Sequence, residues 1–168
     1  MFRNNLKAIM SIGLVLLFGL TGFAQMQKAE IKATGLTCSM CSNAINKQLK
    51  AMNGVVNVST DLNTNSFFVA FENNNAITPK MLKDAVEKAG FFIGSLELTL
   101  SSEDLKKKES SYIILDENVS NSTTDTKVKV YDKGYLTHKE FKKMQKTFSK
   151  VPTYALDNEE DYHIKRVL

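Results

Sequence analysis

Cys38 and Cys41 are the two cysteines of a chain of 168 residues. They stand three apart in Gly35-Leu36-Thr37-Cys38-Ser39-Met40-Cys41, where an alternating pattern gives way to a helical one. Two thiols at that spacing can form a structural disulfide, work as a redox dithiol, or clamp a thiophilic ion as thiolates. A disulfide closing so small a loop removes little chain entropy, so a purely structural staple is a poor explanation. Redox pair and metal clamp remain. Both need thiolate, and a helix N-terminus favours it through unpaired N–H groups and the positive end of the helix dipole. Cys38 falls in the loop and Cys41 in the first helical turn, so both sulfurs can converge on one ion. With no His or carboxylate in the motif, the pair selects soft ions such as copper(I) or mercury(II). Zinc ordinarily takes four ligands, and this motif offers two.

Other candidates are weaker. Met40 could add a third soft ligand, but an adaptable methionine in an exposed loop is the expected reading. Thr37 is expected to shape the loop by local hydrogen bonding. His138 and His163 are the only histidines and have no paired spacing; both read as surface or partly buried residues rather than ligands. A thioredoxin-like CxxC also opens a helix. That fold needs longer connections, and neither of the two prolines, Pro79 and Pro152, flanks this motif. The chain carries no base, nucleophile pair or cofactor loop beside the thiols, and an enzyme is not expected.

The elements around the motif follow from periodicity. Lys28 to Ala33 alternates as a half-buried strand. Cys41, Ala44, Ile45, Leu49 and Met52 recur at helical spacing, and Asn53-Gly54 ends that helix. Val56 and Val58 begin a second alternating run that stops in the turn cluster Asp61 to Asn65. Ser66 to Glu72 is the strongest strand signal. Thr78 as N-cap and Pro79 at the first helical position open a second helix with the stripe Leu82, Ala85, Val86 and Ala89, closed by Gly90. Leu96, Leu98 and Leu100 alternate as a last strand. The order is strand, helix, strand, strand, helix, strand, which predicts an α+β ferredoxin-like βαββαβ domain over residues 26–100, with an antiparallel four-stranded sheet and both helices on one face.

Gly35 to Cys41 followed by Ala44-Ile45, with Gly54 to Val58 and Ala89-Gly90-Phe91, resembles the heavy-metal-associated domain family. The resemblance covers less than half of the chain. Leu36 stands where the family usually has Met. The family includes cytosolic copper chaperones, metal-binding repeats of P-type ATPases and exported mercury-binding proteins. What the resemblance implies is one soft metal ion held by Cys38 and Cys41, copper(I) ahead of mercury(II) or zinc, and handed on by ligand exchange. It implies as partner a metal-transporting membrane protein or another thiol-containing metal carrier. It also places Phe91 beneath the metal loop.

Residues 1–24 read as a signal peptide: a short positive region with Arg3 and Lys7, an apolar run from Ala8 to Leu20, and Gly22 and Ala24 at the small-residue positions before cleavage after Ala24. An uncleaved anchor is the alternative, although Ala8 to Ala24 is short for a bilayer span. The rest of the chain is expected outside the cytoplasm, in the periplasm, where an unligated thiol pair tends to oxidise. The formal charge is +4. Taking Arg3 and Lys7 from the 22 basic residues leaves 20 against 18 acidic, a balance of about +2 that does not support nucleic-acid binding.

Beyond Leu100 the reading is coarser. Residues 101–111 are expected as a linker or short solvated helix, and residues 112–168 as a small α+β region of unknown fold that docks on the first module. Its strands are read at Tyr112 to Leu115, Lys127 to Tyr131 and Tyr162 to Val167, with a Ser/Thr/Asn loop from Asn118 to Thr126. Thr137 and Glu140 form a capping box ahead of a basic amphipathic helix carrying Phe141, Met144 and Phe148. A metal-sensing interaction module docking on a membrane transporter is the alternative function, and thiol-disulfide exchange a further one.

Overall fold

The computed structural model describes residues 26–106, 110–115, 125–155 and 161–167. The expected signal peptide, residues 1–24, and residues 118–124 of the expected loop lie outside the described residues. The first six elements are β1 (Met26–Thr34), α1 (Ser39–Lys50), β2 (Val55–Asp61), β3 (Ser66–Phe71), α2 (Pro79–Lys88) and β4 (Phe92–Leu100). They run in the βαββαβ order of the ferredoxin-like fold. Next come a short helix, α3 (Ser102–Lys106), then β5 (Tyr112–Ile114), β6 (Thr126–Val130), α4 (His138–Thr147), a 3₁₀ turn (Pro152–Ala155) and β7 (Tyr162–Arg166). All seven strands join one sheet in the order β2-β3-β1-β4-β6-β7-β5. Every pairing is antiparallel except β5 with β7.

The sheet is built on alternation. Ala29, Ile31 and Ala33 of β1 and Leu96, Leu98 and Leu100 of β4 face one side and are buried. Ile45 and Leu49 of α1, with Leu82 and Val86 of α2, close over that side. Each fully buried leucine or isoleucine contributes about 1.5–3 kcal/mol relative to an exposed one. The helical stripe differs from expectation at one place: Ser42 is buried and Ala44 exposed. In β2 the register shifts between Val55 and Asn57, so Val56 is the extra residue of a bulge and stays 65% exposed. That is why Val56 and Val58 do not share an inward face.

The second half continues this sheet. β6 pairs with β4 over Glu97–Leu100, and Val128, Val130 and Ile164 lie in the same core cluster as Ile31 and Leu98. Tyr162 reaches across to α2, where its hydroxyl meets the Lys80 N–H and the Thr78 side chain at the start of that helix. On the opposite face, Lys127 joins Glu30 of β1 and Glu97 of β4, both at 2.7 Å. Lys129, which points away from Val128 and Val130, bonds Glu140 of α4 at 3.3 Å. Thus α1 and α2 cover one face and α4 sits on the other. Half of the expected α4 capping box forms: the Glu140 N–H donates to the Thr137 hydroxyl, while the Glu140 carboxylate accepts from that hydroxyl rather than from the Thr137 N–H.

Gly94 marks a close approach between β4 and the end of β1. It is the extra residue where the β1–β4 register shifts between Lys32 and Ala33. A Cβ on Gly94 would lie 2.5 Å from Thr34 Cγ2 and 3.7 Å from Thr137 Cγ2, the N-cap residue of α4. Only glycine fits beside the Thr34 methyl at this bulge, while the contact with the start of α4 is an ordinary one. Gly94→Ala is expected to cost about 1–3 kcal/mol as an overpacked site. Adding Thr34→Ser, which removes the clashing methyl, should restore most of that loss in urea unfolding; absence of rescue would mean the strain lies elsewhere.

Candidate metal centre

The thiol loop is set by the end of β1. Thr34 forms the last rung with Phe92 of β4, and its hydroxyl donates to the Phe92 carbonyl at 3.3 Å. Gly35 then turns the chain at φ +84°, a conformation that favours glycine. Phe91 lies beneath this turn, its Cδ1 3.9 Å from where a Gly35 Cβ would be. Leu36, in place of the family's Met, packs partly buried against the core. The chain enters α1 through Cys38, an extended N-cap residue (φ −155°, ψ 163°) whose side chain makes no capping bond. Below it, Ile45 and Leu49 anchor α1 in the core, and Asn46 donates to the Thr60 hydroxyl of β2 at 2.8 Å. The helix is held rigidly while the sulfurs at its mouth stay open.

Both cysteines are free thiols. Their sulfurs are 3.1 Å apart, Cys38 exposed and Cys41 half-buried. The Cys41 N–H donates to the Cys38 carbonyl at 3.1 Å, closing the turn that brings the sulfurs together. Hydrogen bonding from the Cys38 thiol lowers the pKa of Cys41, and the Thr37 N–H, the Cys38 N–H and the Thr37 hydroxyl add to this. Thr37 therefore shapes the loop, as expected, and also stabilises the Cys41 thiolate. The first turn of α1 holds no acidic residue to oppose that anion.

The remaining candidates fall elsewhere. Met40 belongs to α1 rather than to the loop and is 81% exposed. No group of three or more His, Cys, Asp or Glu among the described residues could hold a metal ion. His138 is exposed at the start of α4. His163, expected as a surface or partly buried residue, is fully buried, with Nδ1 2.6 Å from Asp132, Nε2 2.9 Å from the Thr153 hydroxyl, and its backbone N–H donating to Asp132. It pins the β6–α4 turn to β7. Sequence reasoning missed this network because its members lie 31 and 10 residues from His163 and show no local pattern.

The lowered pKa has a measurable sign. As pH rises through the depressed midpoint, Cys41 becomes thiolate earlier than an ordinary thiol, so near neutrality it alkylates faster. Cys38→Ala removes the strongest donor and should move the midpoint of the Cys41 alkylation profile back up; an unmoved midpoint would refute this account of the turn.

The heavy-metal-associated domain matches residues 30–92. The chain is 36% identical over 66 residues to a copper-transporting ATPase of Saccharomyces cerevisiae, covering 39% of this chain and 6% of that protein. It is 32% identical over 66 residues to the copper chaperone CopZ of Staphylococcus epidermidis, covering 39% of this chain and 96% of the chaperone. The solution structure of the yeast copper transporter domain CCC2A, in apo and Cu(I)-loaded states, aligns at 34% identity over 40% of this chain and 90% of that domain, with a TM-score of 0.36. The chain thus spans only a small fraction of the ATPases but nearly the whole of the chaperone. Through its first module, this chain belongs to the heavy-metal-associated domain family.

Proposed function

We propose that this protein is an exported, non-enzymatic carrier that binds one copper(I) ion between Cys38 and Cys41 and passes it on by ligand exchange. The observation that carries the reading is the pair of free sulfurs 3.1 Å apart at the mouth of α1, neither spent on capping. Two thiolates leave the ion's remaining positions vacant, so incoming sulfur ligands can attack before the first pair lets go. The chemistry of the pair also suits mercury(II); the similarity to a copper-transporting ATPase and to a copper chaperone favours copper. The acceptor is a metal-transporting membrane protein or another thiol-containing carrier.

Export rests on residues 1–24, and with it a periplasmic location. No helix of the described residues is long and apolar enough to cross a membrane. In an oxidising compartment the apo pair closes to a disulfide unless metal or reductant holds it open. Loading must therefore follow or accompany reduction.

Competition between the reduced chain and a chromophoric copper(I) chelator should give one ion per chain. Cys38→Ser/Cys41→Ser should abolish it; unchanged binding in that variant would sink the proposal. Parallel titrations with mercury(II) and zinc rank the ions. Protein recovered from the extracytoplasmic fraction should have the intact mass of a chain beginning at Gln25, whereas a mass retaining residues 1–24 would replace cleavage by anchorage.

A further inference from the structure

Four lysines of α4, Lys139, Lys142, Lys143 and Lys146, are exposed. Their spacing is i, i+3, i+4, i+7, which lines them up on one side of the helix. At 1.5 Å per residue the stripe runs about 10 Å along the axis. Lys150, exposed just past the helix end, extends it.

The rest of α4 is engaged elsewhere. Phe141 and Phe148 pack on Tyr154 with ring centroids 6.1 and 5.4 Å apart, and Tyr154 packs on the buried His163 at 5.0 Å. Glu140, the one carboxylate of the helix, accepts from the Thr137 hydroxyl and pairs with Lys129 of β6 at 3.3 Å. It is therefore turned away from the lysines that follow it. Among the described residues, no ion pair, side-chain hydrogen bond or ring contact occupies the ammonium groups of Lys139, Lys142, Lys143 and Lys146. Ordinary surfaces intersperse both signs. Here the formal charge of the whole 168-residue chain is +4, yet four positive charges share one helix face. Such single-sign clustering raises the local potential and draws anions.

The form of the stripe narrows the anion. Interfaces with folded partners centre on aromatic or apolar anchors in pockets and are depleted in lysine. This stripe has no ring, since Phe141 and Phe148 are held by Tyr154. Neither of the chain's two arginines, Arg3 and Arg166, lies in α4, so it lacks the forks that grip a single carboxylate or phosphate at two points. A row of point charges on a convex helix suits a diffuse anionic surface, such as a bilayer with acidic headgroups. We propose that α4 adsorbs this protein reversibly to an anionic lipid surface through the Lys139–Lys146 stripe. The attraction is electrostatic and sinks no apolar helix face into the bilayer, unlike an interfacial amphipathic helix. On the other face of the sheet lies α1, which carries Cys41, so a bilayer held against α4 does not cover that helix. The adsorption stands apart from the carrier reading. Only its use rests on that reading: it holds a metal carrier in the plane of a membrane-bound acceptor.

The test is co-sedimentation with vesicles of the chain beginning at Gln25, which holds every described element and omits the apolar run from Ala8 to Leu20. It should bind vesicles of equal parts phosphatidylglycerol and phosphatidylcholine, spare vesicles of phosphatidylcholine alone, and be released as salt is raised. Each lysine near an acidic surface contributes about fivefold, so Lys142→Gln/Lys146→Gln should weaken partitioning about thirtyfold. Lys142→Arg/Lys146→Arg keeps the charge and should keep the binding. Both positions are exposed, so far-UV circular dichroism and metal stoichiometry should not change. Cys38→Ser/Cys41→Ser should bind vesicles as the parent does, which separates failure of the stripe from failure of the carrier reading. Equal partitioning by Lys142→Gln/Lys146→Gln would overturn the proposal. So would capture by immobilised polyglutamate without vesicle binding, which would assign the stripe to an acidic protein.

Discussion

The antiparallel pairing of β1 with β4 is the constraint on which the rest of the molecule depends. These two strands occupy the middle of the sheet, and each has a partner on its other side, β3 for β1 and β6 for β4. Ile31, Leu96 and Leu98 are fully buried on the face that receives α1 and α2. The same pair ends at the Thr34–Phe92 rung, from which the thiol loop leaves. Its register shift at Gly94 leaves no room for a Cβ beside Thr34. Core and thiol loop therefore share one origin, and a disturbance of this pairing would be felt at both.

Much of this was legible before any coordinates. The six elements of the first module announced themselves through period, caps and turns, because each depends on residues within a few positions of one another. Thr78 with Pro79 and Thr137 with Glu140 are examples, and the structure forms both caps. The departures share a cause. The exposure of Val56, the burial of Ser42 and the role of Gly94 come from bulges and close approaches between distant segments, which alternation in one strand cannot reveal. His163 belongs here too, since its environment is assembled from Asp132 and Thr153 only when β7 comes to lie beside β6.

The thiol pair proposed to hold the ion stood out in the sequence, but its geometry did not. Residue type and spacing singled out Cys38 and Cys41. The short sulfur separation and the part played by Thr37 in stabilising the Cys41 thiolate emerge from the extended N-cap geometry. The groove lined by Thr34, Lys83 and Phe92 on one side and Lys133, Leu136 and Phe141 on the other was hidden altogether, because its two walls lie about 40 or more residues apart in the chain. A composition-based view of residues 112–168 sees a small region with a basic helix; the pairing of β6 on β4 turns it into part of the site's surroundings.

That pairing also bears on how the protein can be cut. The N–H and C=O groups of Glu97–Leu100 that β6 engages would lie open in a fragment ending at Leu100. An unpaired strand rim is a template for joining another chain, and natural sheets usually guard it with charge, distortion or cover. Here the cover is supplied from within, and the outermost strand on that side becomes β5, only three residues long. On this side the appended strands leave a margin of only three residues to recruit another copy, whereas the opposite margin is β2, seven residues long and broken by its bulge at Val56.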